Sequence, residues 1–410
     1  MGYLIPLLCV GVMSNSSSAV RVETSLFGSS LLLGILLIAA NLRAPITSLG
    51  PVLSQVQAYF GLSPAACGLL NALPLLIFAC ASPTAPWLTR RVGLERALLG
   101  ALGAIAVGCL VRSSGWYDGL WLGTLLIGLG IAVANVLVVP LVKRDFPNRT
   151  ALCVGLYAAT MALMAALASG LAAPLAHWTH YTWKLSLAIW AVLALLALIC
   201  WWPHARGSQT QASDRAVVPR TSVWRSSVAW QVSMFMALQT MTFYTLIDWY
   251  PAMAASAGIG ATQAGAHLFV YQAVAVLANL GSSVAIKRLN DQRLLGFLCS
   301  LAIVIGVFGL LLAPALSLLW LSFAGIGAGM SMVTCLSLFG LRARDHHQAS
   351  ALSAMAQCVG YGFGASGPFL AGWLHGMSGS WSLALMMLIA AGCLQVVFAV
   401  LAGRNRYVGE

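Results

Sequence analysis

Residues 88–100 read LTRRVGLERALLG, and residues 286–296 read IKRLNDQRLLG. Arg91 pairs with Arg288 and Arg96 with Arg293 at an offset of 197, and upstream Gly68 pairs with Gly265 at the same offset. Farther along, KRD at 143–145 is answered by ARD at 343–345, an offset of 200. A chain of 410 residues that repeats at about half its length, in the same direction, predicts two like halves. Each basic stretch lies between long apolar runs, and about 20 apolar residues are what an α-helix needs to cross a bilayer. Same-direction repeats at this scale imply halves related by an axis along the membrane normal.

Composition agrees. Hydrophobic residues make up 60% of the chain and charged residues 7%, against roughly 25% charged in a soluble domain. Soluble enzymes, nucleic-acid binders and disordered chains are excluded, because such a sequence has no polar surface to offer water. A membrane β-barrel is excluded too: its strands alternate over about 10 residues, whereas these runs are continuous. The reading is an all-α membrane protein with twelve transmembrane helices in two pseudo-symmetric six-helix bundles. The expected spans are 26–52, 65–88, 97–112, 119–141, 150–176 and 183–202, then 229–255, 263–286, 294–312, 316–340, 349–375 and 381–402. They divide the chain into a leader (1–25), an N-terminal bundle (26–202), a central loop (203–228), a C-terminal bundle (229–402) and a tail (403–410). Residues 1–13 lack the basic start of a signal peptide, so they read as a cytoplasmic leader.

The net charge of +12 reports topology. Of 21 basic residues, 18 fall on one side of the expected spans. Arg112 and Lys184 fall on the other side, and Arg43 inside the first span. The positive-inside rule then puts both termini in the cytoplasm. The ten cysteines stand singly in apolar runs with no CxxC pair, so neither a metal nor a disulfide framework is implied.

Twelve spans, a central loop and a basic loop between spans two and three resemble the major facilitator superfamily. That superfamily's loop signature, G-x-x-x-D-R-x-G-R-R, stands here as Thr89-Arg90-Arg91-Val92-Gly93-Leu94-Glu95-Arg96. The acid before the first arginine is missing, and Glu95 or Asp145 is the substitute for the gating ion pair that the resemblance implies. Gating candidates are therefore Arg90, Arg91, Glu95, Arg96, Asp145, Arg288, Arg293 and Asp345. Within the superfamily the chain looks like the cyanate and 2-nitroimidazole porters. The matching stretches are NLRAPITSLGP (41–51), PLLIFACASPTAPWLTRRVGLERALL (74–99), GIAVANVLVVPLVKRDFP (130–147), SSVAWQ (226–231), DWYPA (248–252) and LSAMAQCVGYGFGASGP (352–368). The resemblance implies a bacterial inner-membrane secondary transporter working by alternating access.

Ionisable residues inside a membrane are expensive, about 2.5–3.5 kcal/mol on insertion scales, and mark function by default. Arg43 stands inside the first span, either facing a central anion site or snorkelling to the far boundary. Pro45 within the same span clashes with the carbonyl of Asn41 and frees that acceptor, and Thr47 lies one turn along the face of Arg43. Asn41 points about 200° away in a regular helix. Asp248 is the carboxylate inside an apolar run, an interfacial residue or a proton-coupling one, with His267 as its possible partner. Asn135, Tyr157, Gln239, Tyr244, Tyr271, Gln272, Gln357 and Tyr361 are mid-depth polar residues, either a cavity lining or interhelical glue. Together they predict a small polar or anionic solute bound at Arg43 with Asn41 and Thr47, in a monomer embedded in lipid; the resemblance implies that it is cyanate-like or imidazole-like. No catalytic constellation, Walker motif or cofactor signature is present, so no enzyme chemistry, ATP or nucleic acid is expected. The alternative function is proton-coupled efflux of small amphipathic drugs; a membrane sensor or enzyme ranks below it.

Overall fold

The computed structural model describes residues 30–81, 84–146, 150–178, 182–206, 223–289, 291–344 and 346–409. Among these all regular structure is helical. The long elements are α1 (Ser30–Phe60, interrupted), α2 (Pro64–Ala81), α3 (Leu94–Arg112), α4 (Tyr117–Asp145), α5 (Thr150–Trp178) and α6 (Thr182–Arg206). The second set is α7 (Ser227–Ser256), α8 (Ala261–Arg288), α9 (Arg293–Leu312), α10 (Ser317–Leu341), α11 (His346–Gly364 continued by Ser366–Ser378) and α12 (Ser382–Ala402). The leader, Asp345 and most of the central loop lie outside the described residues. Large apolar side chains cover the outside: Leu277, Leu312 and Ile199 are about two-thirds exposed, at 69%, 67% and 65%. An apolar exterior of this kind suits lipid.

Among the described residues ten helices are long and apolar enough to cross a membrane, and α7 and α11 are not among them. Helix α7 carries Ser233, Gln239, Thr240, Thr242, Tyr244, Thr245 and Asp248, all buried in protein. Helix α11 breaks between Gly364 and Ser366. The polar side chains of α7 are enclosed by protein and so avoid lipid, while α11 is divided into two shorter pieces.

The internal repeat extends to packing. Gly130 of α4 sits against the Ala101 carbonyl of α3, and Gly327 of α10 against the Cys299 carbonyl of α9. Small residues let backbones approach where no side chain fits. At the basic end, Arg144 Nη2 donates to Glu95 Oε1 at 2.6 Å, and Arg342 Nη2 to Gln292 Oε1 at 2.6 Å. Glu95 and Gln292 are 197 residues apart, as the repeat requires. The arginine that mirrors Arg144 in this contact is Arg342, whereas the KRD–ARD match paired Arg144 with Arg344. Arg144 also grips Asp145 through Nε at 2.7 Å, and the paired carboxylates, Asp145 first, hold its guanidinium above its usual range. Gly93 lets the chain enter α3: its φ of +86° suits glycine, which has no Cβ to clash.

The first span differs from expectation. Instead of one helix over 26–52, the structure has a helix over 30–41 and a short helix Ala44–Thr47. A 3-10 turn Gly50–Val52 and a helix Leu53–Phe60 follow. Pro45 and Pro51 stand at the starts of the two short pieces. Each lacks an N–H and cannot continue the ladder from the preceding turn.

Candidate functional site

The interruption of α1 places the charge. Arg43 is the residue before the Ala44–Thr47 turn, with φ −124° and ψ −40°, outside helical geometry. Its backbone carbonyl accepts from the amides of Ile46 and Thr47, both at 3.0 Å. The guanidinium carbon lies 5.6 Å from the Tyr244 ring centre on α7, a cation–π distance. Arg43 Nη1 is buried with no hydrogen-bond partner among the described residues, and so is the Tyr244 hydroxyl.

Three more of the expected residues gather here. The Tyr157 hydroxyl of α5 feels the charge of Arg43 and the hydroxyl of Tyr361. It donates to Asn135 Oδ1 of α4 at 2.8 Å. Tyr361 of α11 meets Phe78 of α2 edge to face at 5.4 Å. One turn away, Gln357 Nε2 donates to Ser353 at 2.9 Å. Arg43, Asn135, Tyr157, Tyr244 and Tyr361 thus join both halves around one point.

The remaining candidates are dispersed. Asn41 turns its Nδ2 to the carbonyls of Leu37 (2.8 Å) and Leu193 (3.3 Å), toward α6. Thr47 donates to the carbonyls of Arg43 and Ala165, tying α1 to α5. Gln272 Nε2 crosses from α8 to α5, reaching Ser169 Oγ at 2.9 Å and the Ala165 carbonyl at 3.2 Å. Its Oε1 is left without a partner, as is the buried Tyr271 hydroxyl. Gln239 has only long contacts, to Thr240 at 3.4 Å and the Met332 sulfur of α10 at 3.5 Å. Asp248 is 2% exposed, enclosed by protein. His267 does not pair with it: the His267 Nδ1 meets the Tyr250 hydroxyl at 2.6 Å and Ser317 at 3.3 Å, and no ion pair joins the two among the described residues. Of the gating set, Glu95 and Asp145 meet at Arg144 and Arg293 pairs with Asp291 at 3.3 Å. Arg91, Arg96 and Arg288 are exposed. The Arg90 side chain and Asp345 lie outside what is described.

The sequence reading missed Arg112. It looked like a loop charge, but it closes α3 and is 1% exposed. Its Nη1 donates at 2.8 Å to the Pro45 carbonyl, inside the interruption of α1. Nε and Nη2 have no partner among the described residues, and no carboxylate offsets the charge. Removing an uncompensated buried charge is often neutral or stabilising, while a hydrogen bond from a charged donor contributes about 1.5–3 kcal/mol. Arg112→Met should therefore keep or raise the thermal midpoint of the purified protein while lowering its transport rate about tenfold. An unchanged rate would show that the Pro45 tether does not position Arg43.

The two halves meet closely at the end away from the arginine clusters. A Cβ at Gly68 of α2 would lie 2.6 Å from the Pro368 carbonyl of α11, and one at Gly265 of α8 3.1 Å from the Ser169 carbonyl of α5. Arg43, Asn135 and Gln357, on the other side of this seam, keep partial exposure.

Comparisons with known proteins follow this geometry. The model of the Major Facilitator Superfamily matches residues 31–365. The chain is 38% identical over 391 residues to the 2-nitroimidazole transporter of Escherichia coli (strain K12), covering 94% of this chain and 99% of that one. It is 30% identical over 360 residues to the cyanate transport protein CynX of the same organism, covering 86% and 91%. Its fold matches the inward-facing, unoccupied crystal structure of a bacterial homolog of the human lysosomal transporter Spinster. That match has a TM-score of 0.78 at 15% identity, covering 96% of this chain and 100% of the other. Two like sets of helices and these relatives agree: the chain belongs to the major facilitator superfamily and is a multi-pass membrane transporter.

Proposed function

We propose that this transporter moves a small polar or anionic solute, cyanate-like or nitroimidazole-like, by alternating access, with Arg43 at the central site. The observation that carries the reading is the buried, unpartnered Nη1 of Arg43 beside the equally unpartnered Tyr244 hydroxyl. Buried polar groups in native proteins almost always have partners. A pair of orphaned donors where α1 breaks is the place for an acceptor that comes and goes, and discontinuous helices hold the solute in many secondary transporters. The relatives named for nitroimidazole and cyanate carry solutes rich in acceptors, which supports the same class here.

The closed far seam and the partial exposure of Arg43, Asn135 and Gln357 support a state open toward the basic end. With that end in the cytoplasm, the state is inward-facing, both termini are cytoplasmic and residues 203–228 tether two bundles. Asp248 lies at the closed seam and is the candidate for proton coupling. The test is counterflow in proteoliposomes. Preloading with unlabelled 2-nitroimidazole, or with cyanate, should accelerate entry of the same labelled solute, as only a carrier with alternating access does. Equal uptake by loaded and empty vesicles, for both solutes, would overturn the reading.

A further inference from the structure

A buried ring of hydrogen bonds joins the turn that begins at Arg43 to the far seam, and one of its members comes from the other set of helices. Ser169 of α5 donates to the Thr47 carbonyl, and the Thr47 hydroxyl reaches the Ala165 carbonyl, both at 3.2 Å. Thr47 closes the short helix for which Arg43 is the preceding residue. These three partners all belong to the first set of helices. Gln272 meets them from α8, directing Nε2 at Ser169 Oγ (2.9 Å) and at the Ala165 carbonyl (3.2 Å). It is buried, at 3% exposure. Gly265, seven residues earlier and so within about 20° of the same helix face, approaches the Ser169 carbonyl. The amide therefore sits in the backbone contact between α5 and α8. When the far end opens these helices part, the other three residues stay together, and Gln272 is the member that leaves.

The amide makes a poor permanent tie. Its Oε1 is buried with no partner among the described residues. Orphaning a buried acceptor costs about as much as two neutral hydrogen bonds contribute, so the closed contact stands near balance. An apolar side chain of this size would close more firmly. It would carry no orphaned atom, and Ser169 and the Ala165 carbonyl would keep their contacts with Thr47. It could not, however, meet water cheaply when the helices part. We propose that Gln272 is a positioning residue of the transport cycle, a polar latch whose two hydrogen bonds close the far seam and whose hydration lets it open. This rests on the alternating-access reading above and names the group that sets the balance between its states.

The test uses Ser169→Cys as a reporter, with the native cysteines replaced, and a membrane-impermeant maleimide at the far side while 2-nitroimidazole is present. The thiol keeps a weak donor and acceptor at this point. Gln272→Leu should slow labelling at least about fivefold and lower transport with it, because opening must wet an apolar side chain. It should melt no lower than wild type. Gln272→Ala, which has neither the hydrogen bonds nor the bulk, should speed labelling at least about fivefold. The opposite signs are the signature, since a residue that only packs would give faster labelling in both variants. Labelling that does not move in opposite directions overturns the proposal and leaves alternating access standing. A reporter that stays unlabelled in wild type and in both variants means that this seam never opens, and the alternating-access reading then fails with the proposal.

Discussion

Arg43→Ala should lower proteoliposome uptake about 100-fold, with Arg43→Lys intermediate at about tenfold. Truncating one partner of a buried charge-assisted contact costs about 2–5 kcal/mol, and 1.4 kcal/mol is a factor of ten. Lysine keeps the charge, but as a point on a flexible stem. It loses the planar fork that presents one N–H to the solute while its face lies over Tyr244. Stability separates this role from a structural one. Arg43 Nη1 has no protein partner to lose, so Arg43→Ala should melt no lower than wild type in the absence of solute. The upward shift that cyanate or 2-nitroimidazole gives wild type should vanish. Wild-type rates in both variants would remove Arg43 from the site.

Arg43 was legible as a candidate because a charge in an apolar run is costly wherever it points, whereas the break at Pro45 was not expected. The expected spans were legible for the same reason: length and apolarity are properties of a segment alone. What depended on direction around a helix was not. Asp248 and His267 were expected to pair, yet the histidine turns to Tyr250 and Ser317. Arg112 ends an apolar run, as a loop charge would, and nothing in its neighbours says that α3 tucks this end beneath the Pro45 carbonyl. The repeat aligned Arg144 with Arg344 by their shared acid, while the fold uses Arg342, whose side chain can reach Gln292. Polar residues also gather in α7, where Ser233, Gln239, Thr240, Thr242, Thr245 and Asp248 are all enclosed by protein.

Gly50→Val should arrest transport at a defined stage. A Cβ at position 50 would lie 2.5 Å from the Ile247 carbonyl oxygen, 3.2 Å from the Asp248 Cα and 3.3 Å from the Asp248 oxygen. These are main-chain atoms of α7 and cannot swing aside as a side-chain tip would. Pro51 stiffens the α1 side of the contact, since its ring fixes φ. Overpacking costs about 1–3 kcal/mol even where side chains yield, so closing this seam over a branched side chain should cost at least about 3 kcal/mol, roughly 100-fold in transport. The two halves have contacts of their own, such as Gly130 on Ala101 and Gly327 on Cys299, so each bundle should still fold. What is lost is the state with the far end closed. Ser169 reports this: it is fully buried at the seam, where Gln272 of α8 donates to its hydroxyl. With the native cysteines replaced, Ser169→Cys should resist a membrane-impermeant maleimide added at the far side, and Gly50→Val should make it reactive. Transport lost without new labelling would mean that Gly50→Val damages the fold. Labelling and transport both unchanged would mean that α1 and α7 do not part here. Labelling gained as transport is lost is the expected pair, because the same backbone contact that seals the far end must open for the solute to pass.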